Sequence, residues 1–181
     1  MAISQSGRPA SEIIAPCTRG NRVVIDNVLV VIEPGDPLGS EALQLLQQMQ
    51  AEALKRYADA ISDSPPPSNE LLVPRSAFLL TRLNVQAVGC AALRPLTVEI
   101  AEVKRMYVAQ SVRRRGIGRL LVAALEQIAC AFGYRALRLE TGIRQPEAIA
   151  LYKSQAFHHI ARYGEHLNDP LSICFEKNLP L

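Results

Sequence analysis

The chain is 181 residues long, 49% hydrophobic and 20% charged, which suits one domain with a sizeable core and excludes a disordered tail. Its 20 Lys+Arg against 17 Asp+Glu leave a net charge of +3, too little by itself to argue for nucleic acid, and with no Trp and 5% aromatics it lacks the stacking platforms of a single-strand binder. Cys17, Cys90, Cys130 and Cys174 lie far apart, with no C-x-x-C and no His at ligand spacing, so neither a zinc site nor a disulfide framework is expected.

Residues 1–21 read as a polar arm without the basic and apolar regions of a signal peptide, and residues 22–181 as a single domain. No apolar run reaches the roughly 18 residues of a membrane span, so a cytoplasmic protein is expected. The first strand is Val28 to Ile32, closed by the turn cluster Glu33-Pro34-Gly35-Asp36-Pro37. Ser40 can cap a helix whose apolar face is Ala42, Leu45, Leu46, Met49 and Ala53. Asp63 to Ser68, with Pro65, Pro66 and Pro67, is a loop. Phe78 to Leu83 and Val85 to Leu93 are strands in a tight hairpin about Asn84, and Val98 to Val108 is a third. A polar turn, Ala109 to Arg115, leads to a helix with the stripe Ile117, Leu120, Leu121, Ala124, Leu125 and Ile128, ended by Gly133. Ala136 to Thr141 is a strand, Pro146 starts a helix carrying Ala148, Leu151 and Tyr152, and the strands Phe157 to Tyr163 and Leu171 to Glu176 flank a Gly164–Pro170 connection. This order predicts a mixed sheet with helices on both faces, in the α/β class (α+β mixed).

The most informative segment runs from Val108 to Arg119, a strand entering a basic, glycine-containing turn that opens a helix. Helix N-termini present unpaired N–H groups and about half a positive charge, so such a turn receives phosphate oxygens. Arg113, Arg114 and Arg119 can add charge-assisted bonds. A Walker A loop needs G-K-[ST] where Arg119-Leu120 stands, and a dinucleotide fingerprint needs a third glycine where Leu121 stands. As a bare pattern, a helix start with solvated arginines fits equally.

Arg113-Arg114-Arg115-Gly116-Ile117-Gly118 resembles the coenzyme A pyrophosphate signature Q/R-x-x-G-x-G/A of the GNAT superfamily of N-acetyltransferases. Gln145 to Phe157 resembles the family's second pattern, N-x-x-A-x-x-L-Y-x-x-x-G-F, with Gln145 for the usual Asn and Ala156 for the usual Gly. The segments Cys90 to Leu96, Lys104 to Val108 and Asp169 to Lys177 resemble a bacterial branch with small-molecule or unassigned acceptors. The resemblance implies a mixed, mostly antiparallel sheet of about 6–7 strands flanked by helices. The resemblance also implies a bulge that splays two strands at the cofactor site. It implies acetyl-CoA as cosubstrate, with no metal, and acetyl transfer to a primary amine of a small molecule or an exposed protein amine. Backbone at Met106, Tyr107 and Val108 would hold pantetheine. Arg113, Arg114, Arg115, Gly116, Ile117, Gly118 and Arg119 would hold pyrophosphate, and Gln145 would stand at the Asn position.

The family's Leu-Tyr position makes Tyr152 the general acid, a phenol of pKa ~10 that keeps its proton for the departing thiolate. Glu102, 14 residues before Gly116, matches the glutamate base of the histone-acetylating branch, and strict alternation puts Glu102, Lys104 and Met106 on one face unless a bulge resets the phase. The acceptor is expected between Lys55-Arg56-Tyr57 and the Arg162 to Asp169 connection, with Tyr57, Arg162 and Tyr163 as contacts, a set that suits a carboxylate beside the amine. His158, His159 and His166 read as surface or core residues rather than bases, and Cys90, Cys130 and Cys174 as core residues. The expected partners are acetyl-CoA and an amine, with no nucleic acid or membrane, and a homodimer is allowed. A non-catalytic acyl-CoA sensor is the alternative reading.

Overall fold

The strand and helix signals place eight strands and three α-helices in one unit in the computed structural model, which describes residues 21–25, 27–60 and 71–180. Residues 1–20 of the expected arm, Cys17 among them, fall outside the described residues, as does the Pro65 to Pro67 loop, while Asn21 at the arm's end opens the first strand. The strands form one sheet in the order β1-β2-β3-β4-β5-β6-β8-β7. Strands β1 (Asn21–Ile25) and β2 (Val28–Pro34) make an antiparallel hairpin through Asn27, which takes a left-handed φ of 62°. Eight strands replace the six or seven expected. The additional β1 lies at the sheet edge with its side chains largely exposed, so no buried alternation marks it in the sequence.

Helix α1 (Ser40–Arg56) begins after Gly39; Ser40 is its first residue rather than its cap. The entry is shaped by Asp36, whose carbonyl and carboxylate accept from the Gly39 and Leu38 N–H groups. The helix packs Ala42, Leu45, Leu46 and Met49 onto one sheet face, against Phe78, Leu80 and Ala92 of β3 (Ala77–Leu83) and β4 (Gln86–Pro95) and Tyr107 of β5 (Ile100–Val108). On the other face, α2 (Ile117–Ala131) and α3 (Pro146–Ser154) cover Leu79, Ala91, Leu93 and Val103 together with Leu139 of β6 (Ala136–Gly142) and Phe175 of β8 (Ser172–Asn178). Cys130 lies off the buried stripe of α2 and is exposed, a correction to the core assignment, while Cys90 and Cys174 are buried. The strand expected to reach Tyr163 is the short edge strand β7 (His158–Ile160), after which the chain turns away.

Two irregularities in the middle of the sheet position everything that follows. Cys90 pairs with Tyr107 but Ala92 with Lys104, so β5 carries one residue more than β4, and Arg105 takes a left-handed φ of 55° there. The extra residue resets the alternation. Met106 therefore packs toward α2 and not beside Glu102 and Lys104, while Tyr107 faces α1. Next to the bulge, the parallel pairing of β5 with β6 runs from Ile100–Ala136 to Val103–Leu139 and stops, although β5 continues to Val108 and β6 to Gly142. The two strands part, and a gap opens in the sheet.

Candidate active site

The gap has a vertex, at Glu102 and Val103, and an open end where β5 leads into the basic turn. Gly116 caps α2 in the left-handed region, φ 83°, and a Cβ there would meet open space; the backbone angle, not crowding, selects glycine. Arg114, with φ 66°, is left-handed as well. Among the described residues, the N–H groups of Arg114 to Gly118 donate to no backbone carbonyl, so a row of donors at the positive end of α2 is available to an anion. Ile117 is buried in the core and offers the turn only its backbone. A Cβ at Gly118 would stand 3.0 Å from Leu151 of α3, so this glycine also lets two helices approach. Arg114, Arg115 and Arg119 are exposed around the turn.

Arg113 is employed differently from its neighbours. Its Nε donates to the Val108 carbonyl at 2.8 Å, and its Nη2 donates to both oxygens of Glu52 on α1, at 2.9 and 2.7 Å. The Tyr107 hydroxyl donates to the same Glu52 at 2.6 Å. Burial opposes ionisation of Glu52, but the bonds from Tyr107 and Arg113 outweigh it and the carboxyl is lowered. Arg113 thus ties the turn and the end of β5 to α1.

At the vertex, Glu102 is 1% exposed. Arg94 Nε donates to its Oε2 at 2.7 Å and the Tyr163 hydroxyl to its Oε1 at 2.9 Å. Lys104 Nζ lies 3.9 Å from Oε1 and donates to Glu165 at 2.9 Å. Tyr163 is therefore brought to Glu102, and so is His166, three residues on in the same short 3-10 turn. Sequence reasoning set His166 aside; the spacing of Tyr163 and His166 in one turn is the signal that could have joined them. Sequence reasoning gives Arg94, Lys104 and Glu165 no site role, although alternation puts Lys104 on the face of Glu102, and the pairing of β4 with β5 and the return of the β7–β8 connection bring them to it.

Tyr152 stands on the α3 side of the sheet, opposite Glu102, within the aromatic cluster of Phe157 and Phe175. Burial, with Glu140 nearby, pushes its phenol up. Gln145 precedes α3 at the β6 rim of the gap, its N–H bonded to the Gly142 carbonyl.

The three expected acceptor contacts separate. Tyr57 is buried, and its hydroxyl accepts from the Arg144 N–H at 3.0 Å. It lies so close over Gly142 that any Cβ there would collide with it. Arg56 bonds Glu147 and the Arg144 carbonyl, and Arg144 bonds Asp59 and the Arg56 carbonyl, so the end of α1 is latched across the gap to the β6–α3 turn. Arg162 donates to the Ser172 carbonyl at 3.0 Å and lines, with Ile143, His159, Leu167 and Ile173, a cavity of about 500 Å³. Only Tyr163 of the three joins Glu102. Among the described residues, no group of three or more His, Cys, Asp or Glu could hold a metal ion, and no helix is long and apolar enough to cross a membrane.

An open sheet with a bulged strand, a parted neighbour and an anion-ready turn defines the class. Residues 39–157 match the acetyltransferase (GNAT) family, and the chain belongs to it. It is 38% identical to the IAA acetyltransferase of Azospirillum brasilense over 157 residues, 83% of this chain and 98% of the relative. Among solved structures, a candidate acyl-CoA N-acyltransferase from Klebsiella pneumoniae superposes with a TM-score of 0.69 at 30% identity, covering 83% of this chain and 97% of that one. A GNAT family acetyltransferase from Elizabethkingia anophelis with acetyl-CoA bound superposes with a TM-score of 0.61 at 21% identity, over 83% and 98%, and shows the shared fold. The chain is an acetyltransferase, and acetyl-CoA is the donor its family uses.

Proposed function

We propose that the protein transfers the acetyl group of acetyl-CoA to the amine of a small molecule or of an exposed protein segment by direct attack. The observation that carries the reading is the parting of β5 and β6 after Val103 and Leu139, with a buried carboxylate at the vertex and free helix N–H groups at the open end. The pyrophosphate would meet the Arg114 to Gly118 donors, with the exposed Arg114, Arg115 and Arg119 adding charge. Pantetheine would run along Met106, Tyr107 and Val108, whose peptide groups facing β6 have no strand to pair with, and pass Gln145 on the far rim. Glu102 takes one proton of the acceptor ammonium, the freed amine attacks the thioester carbon, the carbon–sulfur bond breaks as Tyr152 protonates the leaving thiolate, and the second nitrogen proton, released as the amide forms, restores the Tyr152 phenol. Base and acid on opposite faces of the gap let the acceptor and the sulfur approach from opposite sides. The acceptor would enter between the end of α1 and the connection carrying Tyr163.

The test is thiol release from acetyl-CoA across a panel of primary amines with and without a carboxylate, with IAA included because the Azospirillum relative is named for it. One thiol released per acetylated product, only with the right acceptor, is the expected result. Release at the same rate without any acceptor would contradict transfer.

A further inference from the structure

A base that takes a proton in every turnover must also lose it, and Glu102 has almost no contact with solvent. Most of its neighbours cannot take the proton. Arg94 and Lys104 are already cationic, and Tyr163 gives its single proton to Glu102, its own ionisation pushed up by burial and by that carboxylate. One neighbour differs. His166 Nε2 is buried and without a hydrogen-bond partner among the described residues, 3.9 Å from Glu102 Oε1 and 3.6 Å from Glu165 Oε1. Buried polar atoms of a native protein are normally satisfied, and polar atoms separated by such distances are commonly joined by water. The imidazole is held edge-on to Tyr163, with centroids 5.9 Å apart, so the residue that holds Glu102 also holds His166. The charged groups facing this corner are Arg94 from β4, Glu102 and Lys104 from β5, Arg138 over the Tyr163 ring and Glu140 from β6, and Glu165 and Asp169 from the connection itself. Of these, Glu165 is 63% exposed and reaches water.

We propose that His166 is the proton exit for Glu102: a water between the two groups carries the proton to Nε2, and His166 hands it past Glu165 to solvent. The proposal rests on Glu102 being the base of the reaction proposed above. The acceptor N–H bond breaks with its electron pair left on nitrogen. An O–H bond forms on Glu102 and breaks, then an N–H bond forms on Nε2 and breaks. Nothing is oxidised, and one proton reaches bulk water for each acetyl group transferred. His166 acts through Glu102 and does not touch the acceptor; it is a positioning residue.

Two measurements decide it. A crystal structure of the unliganded protein should show an ordered water bonded to His166 Nε2 and to the Glu102 or Glu165 carboxylate; a dry Nε2 would overturn the relay whatever the acceptor proves to be. With the amine that the panel turns over fastest, His166→Ala should lower kcat about tenfold or more in dilute buffer with the acetyl-CoA KM unchanged. Added imidazole, or a rising concentration of a basic buffer, should restore most of it. His166→Gln, which keeps a polar side chain but cannot titrate, should show the same loss and the same buffer dependence. Turnover within twofold of wild type in both variants, or a loss that neither imidazole nor buffer changes, would overturn the relay. Failure of the acetyl-transfer reading shows elsewhere, as wild-type protein that releases no thiol with any acceptor, and the relay then falls with it. Unchanged turnover in Glu102→Gln would remove the base and the relay with it.

Discussion

Tyr152 presents its hydroxyl from an apolar cluster in which a phenolate would be poorly solvated, so the folded protein keeps the phenol protonated beyond the ordinary value near 10. Tyr152→Phe should lower turnover by roughly 10²-fold while leaving the calorimetric Kd for acetyl-CoA nearly unchanged. The same substitution has a signature in stability. A raised phenol binds its proton in the folded state while the unfolded chain loses it, so its contribution is present below about pH 10 and is lost as pH rises above that. The Phe variant should therefore lose less stability in urea between pH 9 and 11 than wild type. Wild-type turnover together with an identical alkaline loss would return Tyr152 to the core. Tyr152 and Glu102 could be singled out in the sequence because the family resemblance gives each a position, the Leu-Tyr pair of the second pattern and the strand glutamate 14 residues before Gly116. His166 could not, because its meeting with Glu102 depends on how the β7–β8 connection folds back over β5. Tyr57 lies in a segment expected to meet the acceptor, but its hydroxyl is used to seat α1 over Gly142.

Helix α1, strand β5 and the basic turn are joined at Glu52, which receives Arg113 with two bonds and Tyr107 with one. This makes Arg113 a brace that sets where the turn stands, and it separates two accounts of the RRRGIG signature. If Arg113 acts through Glu52, Glu52→Gln and Arg113→Gln should each weaken acetyl-CoA binding several-fold, and the double variant should be no weaker than the worse single one. Independent effects, with the double variant losing the sum, would assign Arg113 to the phosphates directly. The elements themselves were largely legible. The apolar stripes of α1 and α2 and the Asn84 hairpin stand where periodicity and turn chemistry put them, and Pro146 opens α3 as a first-turn proline should. The edge strand β1 was not, because exposed side chains leave no alternation to read, and Ser40 misled because Gly39 and the Asp36 turn perform the entry.

The sheet is continuous on both sides of a single interruption, and that interruption is where the proposed chemistry belongs. Its cause is local, one extra residue at Arg105 in β5, but its effect reaches across the molecule: it moves Met106 to the α2 face, leaves β6 without a β5 partner beyond Leu139 and aims the end of β5 at the turn. Alternation along Glu102 to Val108 gives no hint of the bulge, since the phase change is visible only once the partners in β4 are known. The family resemblance anticipated it where the residues alone did not. The central claim is that acetyl-CoA occupies this gap, with its phosphates on the start of α2. Amide hydrogen exchange with and without acetyl-CoA reads those backbone groups directly. Exchange should slow at Met106 to Val108 and at Arg114 to Arg119 on binding, and stay unchanged in β1 and β2. Binding that leaves both the gap and the turn unprotected, or protects only other parts of the sheet, would contradict the account.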